Sequence, residues 1–182
     1  ISLLFAIILI FFHPIVLNSA IIYLIINLFY NFGLKKIPYI EIFVISFGYI
    51  IRIDVGSKLI NVESSIFIII SIYCLALFFL LLKRVGEMNH IADKKNYKSR
   101  QVLKYYNKST LKYLSTISLI FLLIVLLMYI ININYKLIFS FVFVVYFLIS
   151  YFRLTVDKTY GENPISFIFY NKKLLITSFL SL

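Results

Sequence analysis

The chain has 182 residues, is 63% hydrophobic and carries a formal net charge of +11, with a mean hydropathy of +1.01. A soluble domain of this length has no core large enough to hide so much apolar side chain, so the composition selects transmembrane helices. The positive excess would point to nucleic acid on a soluble protein. Beside a bilayer it sets topology and attracts anionic head groups or phosphates. The lone Cys74 lies in an apolar run, which excludes an internal disulfide and a cysteine-based metal cage.

The chain opens at Ile1 inside an apolar run, with neither a charged n-region nor a small-residue cleavage site, and closes inside another at residues 179–182. Both ends therefore predict an internal piece of a larger membrane protein, a single transmembrane domain over 1–182. Residues 1–12 read as the tail of a helix that His13-Pro14 breaks, because proline lacks a backbone donor and disfavours helix before it. Further spans follow at 15–32, 39–56, 65–82, 113–131 and 136–153, and one more starts near 174. Eighteen helical residues rise roughly 27 Å, about the thickness of the hydrocarbon layer. The runs are apolar on every side, so length decides in favour of helix, and the alternation a β-barrel needs is absent. The fold expected is an all-α polytopic helix bundle.

The connections alternate in charge. Every cation except Arg52, Lys58 and Lys136 falls on one side, in the stretches around Lys35-Lys36, across 83–112 and from Arg153 onward. By the positive-inside rule that side is cytoplasmic. The 83–112 connection is long, basic and contains tyrosines, and residues 98–112 suit an interfacial helix.

Polar groups at helix ends carry the candidate chemistry. Lys83 and Arg84 stand four and three residues before Glu87, so helical spacing puts either cation beside the carboxylate. Such a group can anchor a helix end by snorkelling, or it can clamp a phosphate with a carboxylate to orient it. Glu41 near the start of the 39–56 span suits the positive end of a helix dipole. Arg52 inside the same span is a functional candidate by default, and Asp54 two residues on does not face it. Arg100 and Tyr106 belong to the basic connection, and Arg153 and Asp157 are spaced to pair. His13 and His90 are isolated, and the chain has no glycine-rich phosphate loop, no Cys/His metal spacing and no G-x-S-x-G.

Several phrases together resemble the UbiA superfamily of membrane prenyltransferases, and within it the decaprenyl-phosphate phosphoribosyltransferase branch. They are YNFGLKKIPYIEIFVISFGYIIR at 30–52, LLKRVGEM at 81–88, SRQVLKYYNKSTL at 99–111, YFRLTVD at 151–157 and GENP at 161–164. The family has nine transmembrane helices, of which this chain would cover the third to the start of the ninth. Its first aspartate-rich motif, NDxxDxxxD, lies on a helix outside this sequence. The second, DxxxD, which the aromatic prenyltransferases carry, is replaced here by Lys83-Arg84-x-x-Glu87.

The resemblance implies transfer of phosphoribosyl from phosphoribosyl diphosphate to a polyprenyl phosphate, with magnesium, in a bacterial cytoplasmic membrane with the active face cytoplasmic. It implies catalytic roles for Glu87, Lys83 and Tyr30. It implies phosphate binding by Lys35, Lys36, Arg84, Arg100 and Arg52, help from Glu87 in holding the metal, and a covering role for the 83–112 connection. Tyr30 and Lys35 resemble the superfamily's tyrosine–lysine motif with one extra residue, and Gly33 would let Lys35 fold back toward Tyr30. Prenyl transfer to an aromatic or isoprenoid acceptor is the alternative chemistry. A transporter part or an inactive fragment is the non-enzymatic alternative, although transporters gather polar groups near the midplane rather than at one face.

Overall fold

The computed structural model describes residues 17–93, 101–133 and 135–157. They form five α-helices and no strand: α1 (Leu17–Phe32), α2 (Ile40–Leu59), α3 (Ile66–Asp93), α4 (Lys108–Ile133) and α5 (Ile138–Asp157). Short 3-10 turns at Leu34–Lys36, Gln101–Tyr105 and Tyr135–Leu137 join or flank them. The all-α helical bundle expected from the sequence is what the chain forms.

Three helical stretches, Ile66–Asn89, Lys108–Asn132 and Tyr135–Val156, are long and apolar enough to cross a bilayer. α1 is apolar but has only 16 residues, and α2 carries Glu41, Arg52, Asp54 and Lys58 along its length. Of the spans expected at 15–32 and 39–56, the first thus lacks the length of the other three and the second their purity. Large apolar side chains cover the outward faces, among them Leu24 and Phe29 on α1, Ile120 and Phe121 on α4, and Phe139 and Val142 on α5. So much exposed hydrocarbon suits lipid rather than water.

Local signals explain the helix ends. α2 stops in a Schellman motif: Asn61, at φ 52, takes the left-handed conformation that asparagine tolerates. The Val62 N–H then reaches Ser57 O at 3.0 Å and the Asn61 N–H reaches Lys58 O at 3.3 Å. α4 starts where Asn107 caps it, its Oδ1 accepting from the Ser109 N–H at 2.9 Å. That cap makes residues 108–112 the first turn of α4 rather than part of the separate interfacial helix expected over 98–112. Likewise 83–93 continues α3 instead of belonging to a loop. Gly33 follows α1 without a left-handed conformation and with open space where a Cβ would stand, so it is no obligatory hinge.

The core lies along α3, which packs chiefly on α4 and α2. Cys74, Phe78 and Leu82 recur every four residues on its inner stripe and meet Leu119 and Leu122 of α4 and Leu148 and Tyr151 of α5. On α4 the inward positions include the buried serines Ser115 and Ser118. In lipid, helices associate through close contact rather than water exclusion, and small residues permit that contact. Both hydroxyls are satisfied inside the helix, Ser115 on Lys112 O at 2.8 Å and Ser118 on Ser115 O at 3.0 Å. The helices run antiparallel in sequence, so the ends near residues 32–41, 83–93, 101–112 and 153–157 gather at one end of the bundle.

Candidate functional site

A buried polar network ties that end together. It begins at Tyr39, the residue before α2, whose φ of 64 is strained for a bulky side chain. Tyr106 holds it there: its hydroxyl oxygen accepts the Tyr39 N–H at 3.0 Å, and the two rings meet edge to face with centroids 4.9 Å apart. The Asn107 N–H donates to the Tyr39 hydroxyl at 3.4 Å. Tyr106 in turn donates its own proton to Glu41 Oε1 at 2.9 Å.

The same carboxylate oxygen lies 2.9 Å from Arg84 Nε, and Arg84 Nη1 donates to Glu87 Oε2 at 2.5 Å. The side chains of Arg84 and Glu41 are only 3% and 1% exposed, and that of Glu87 17%. Two carboxylates around one guanidinium leave a formal charge of −1 on the trio. A charge this deep persists only because each partner is present, since removing one leaves the other buried and unmatched. Burial above all, and then its bond to Glu41, raises the Tyr106 pKa above the ordinary tyrosine value, so the hydroxyl remains a donor.

The roles expected of Arg84 and Glu87 meet this geometry directly. Arg84 is turned inward and engaged by two carboxylates, Glu41 and Glu87. Glu87 pairs with Arg84 and not with Lys83, leaving the half-buried Lys83 without a described carboxylate within ion-pair reach. Among the described residues no three carboxylate, histidine or cysteine groups converge, and Arg84 bridges Glu41 and Glu87.

The remaining candidates fall in two places. Lys35 and Lys36 are exposed on the Leu34–Lys36 turn, which touches the Gln101–Tyr105 turn carrying the exposed Lys104. Lys83, Lys108 and Lys112 stand on helix ends at the same end of the bundle, which is thus a cationic rim. Tyr30 does not join them. It lines a groove of about 140 Å³ between α1 and α2, together with Tyr23, Asn27, Gly48, Tyr49 and Arg52. Arg52 sits twelve residues into α2, roughly 18 Å along the axis from Ile40, so it too stands apart from Arg84. Arg100 lies outside the described residues, as do His13 and residues 158–182.

An apolar groove of about 240 Å³ opens beside the rim, between α2, α3 and α4. Tyr39, Ile42, Phe43, Cys74, Leu77 and Leu114 are among its walls, so one residue, Tyr39, belongs both to the groove and to the polar network. From the sequence, Glu41 suits a helix dipole and Tyr106 a loop, and nothing marks Tyr39. The usable signal was Glu41 itself, a carboxylate near the start of a long apolar stretch and so in need of an inward partner. No protein-family model matches the chain, and no curated protein matches it.

Proposed function

We propose that this chain belongs to a membrane transferase that moves a phosphoribosyl group from phosphoribosyl diphosphate to a polyprenyl phosphate. The observation that carries the reading is the junction at Tyr39, where an apolar groove suited to a lipid chain meets a network-braced, lysine-rich end suited to phosphates. A lipid lying in the groove would present its phosphate at the rim, beside the anionic donor. The family resemblance supplies the identity of both substrates.

In the proposed reaction a lipid phosphate oxygen attacks the anomeric carbon of the ribose. The bond from that carbon to the diphosphate breaks, and diphosphate leaves with the electron pair while positive charge builds on the ring. Lys83, Lys35 and Lys36 neutralise the phosphates of donor and leaving group. Arg84, Glu41, Glu87 and Tyr106 act through position, fixing the ends of α2 and α3 and the start of α4 on which those lysines stand. Magnesium would arrive with the diphosphate and offset its charge, with no ligand assigned to it on the described residues. The rim would face the cytoplasm of a bacterium, as the charge asymmetry of the connections favours.

The test is transfer by the full-length protein of label from phosphoribosyl diphosphate, set against label from a prenyl diphosphate, onto lipid acceptors. Phosphoribosyl label on polyprenyl phosphate, lost in K83A and E87A, is the expected result. Prenyl label alone, or near wild-type turnover in both variants, rejects the assignment.

A further inference from the structure

Tyr39 holds a backbone conformation that bulky residues avoid. With φ 64 and ψ −46, and with the Ile40 N–H donating to Pro38 O at 2.8 Å, residues 38–40 form a γ-turn of the rare, strained kind. The Tyr39 carbonyl is committed to α2, accepting the Ile42 N–H at 3.0 Å and the Phe43 N–H at 3.2 Å. Such strain persists only where surrounding contacts hold it, and it gathers at clamps and switches. Here the holders are two neighbours in sequence, Tyr106 on the Tyr39 N–H and ring, and Asn107 on the Tyr39 hydroxyl.

The same residue is a wall of the apolar groove between α2, α3 and α4. Four of that groove's walls are aromatic, Tyr39, Phe43, Tyr73 and Phe121, and from Ile70 to Leu81 it follows α3 for roughly 16 Å. Flat rings give broad contact to the flat double bonds of an isoprenoid chain, whereas a saturated chain loses more rotational freedom when it lies against them. On its other side Tyr39 is linked to both basic turns. Residues 106 and 107 join the Gln101–Tyr105 turn to α4, and that turn touches the Leu34–Lys36 turn that leads to Tyr39. A ligand shifts a conformational equilibrium only through contacts that it makes in one state and not the other. A chain packed on the Tyr39 ring has those contacts while the γ-turn holds and loses them when the ring leaves the wall, so it favours the strained turn.

We propose that Tyr39 is a positioning residue that senses the lipid chain. An isoprenoid chain packed on its ring keeps the γ-turn latched, and through Tyr106 and Asn107 the latch fixes the turns that bear Lys36 and Lys104. This deepens the transferase reading and rests on it for the isoprenoid nature of the chain. It ties the order of the cationic rim to the presence of the lipid that the rim would serve.

The experiment is hydrogen–deuterium exchange of the full-length protein in a steroid detergent, whose rigid body does not enter the groove as an alkyl chain would. The probes are a polyprenol, which is an uncharged isoprenoid alcohol, and a saturated alcohol of equal length. The polyprenol is expected to slow exchange of the Tyr39 and Tyr106 amides about tenfold. The Val62 amide, at the other end of α2, should not change. Y39F keeps the ring and should keep this protection. Y39G should lose it while folding normally, because glycine takes a positive φ without strain. Far-UV circular dichroism shows which variants fold, and Y39L, apolar but without the flat ring, carries the test if Y39G does not. No protection in the wild type, equal protection at Val62 or by the saturated alcohol, or full protection in folded Y39G or Y39L overturns the proposal. Protection through Tyr39 in a protein that transfers no phosphoribosyl group keeps the latch and loses the reaction proposed above. Transfer without such protection keeps the reaction and loses the latch.

Discussion

Tyr106 donates a hydrogen bond to Glu41 across 65 residues of sequence while its oxygen accepts one from the Tyr39 N–H. One side chain therefore closes the start of α4 onto the start of α2. Phenylalanine at 106 keeps the ring contact with Tyr39 and removes both hydrogen bonds. Y106F is expected to cost about 1–3 kcal/mol, the range for leaving a buried polar group unmatched. Chemical denaturation in detergent, followed by helical ellipticity, measures it. A change within error would mean that the hydroxyl contributes nothing to the brace.

The same hydroxyl has a pH signature. Burial holds its proton on, so its pKa in the folded chain lies above the ordinary value of 10.0. Below that ordinary value both folded and unfolded chains keep the proton, and the contribution of the hydroxyl is complete. As pH rises past it the unfolded chain ionises first, and the contribution falls until the folded chain ionises as well. The stability difference between wild type and Y106F is thus expected to be flat at neutral pH and to shrink in strong alkali. A difference that widens with alkali contradicts the geometry.

Glu41 and Arg84 form the deepest pair in the network. R84M leaves both Glu41 and Glu87 without their cation and is expected to destabilise by about 3–5 kcal/mol. Adding E41L removes the more deeply buried of the two stranded carboxylates and is expected to recover part of that loss. Additive losses in this double-mutant cycle would show that the two side chains are not coupled.

How much of this could be read from the sequence depends on where each kind of information resides. Helix class was legible because runs such as 113–131 are too long and too apolar for anything else. The packing seam was not, because residues facing lipid and residues facing the core are equally apolar. Small residues within the runs, such as Ser46, Ser71, Cys74, Ser115 and Ser118, hinted at the faces that burial reveals. The Lys83-Arg84-x-x-Glu87 group was visible as a cluster, but consecutive residues on a helix point about 100° apart. The sequence could not say which cation turned inward. That choice depends on Glu41, more than forty positions away, and such a long-range pair leaves no local pattern.

The cap of α4 is a local signal that was available. Asn107 stands directly before Lys108-Ser109-Thr110, and its carboxamide oxygen takes the Ser109 N–H. N107A is expected to cost about 1 kcal/mol, and N107D close to nothing, because aspartate accepts the same bond. Thermal unfolding of the two variants side by side checks this. Equal melting temperatures for N107A and wild type would mean that tertiary packing alone sets the start of α4.

The arrangement also predicts which groups share a side of a bilayer. Lys36 and Lys104 lie on touching turns at one end of the bundle, whereas Asn61 ends α2 at the other. The 20 residues of α2 rise about 30 Å, which matches the hydrocarbon thickness. Single cysteines at 36, 104 and 61, in a background where the buried Cys74 is alanine, are expected to divide two against one toward a membrane-impermeant maleimide. Positions 36 and 104 should label together from one side, and position 61 only from the opposite side. If 36 and 104 label from different sides, the cationic rim does not exist as one surface. The lysines could then not hold two anionic substrates together, whatever the stability of the network beneath them.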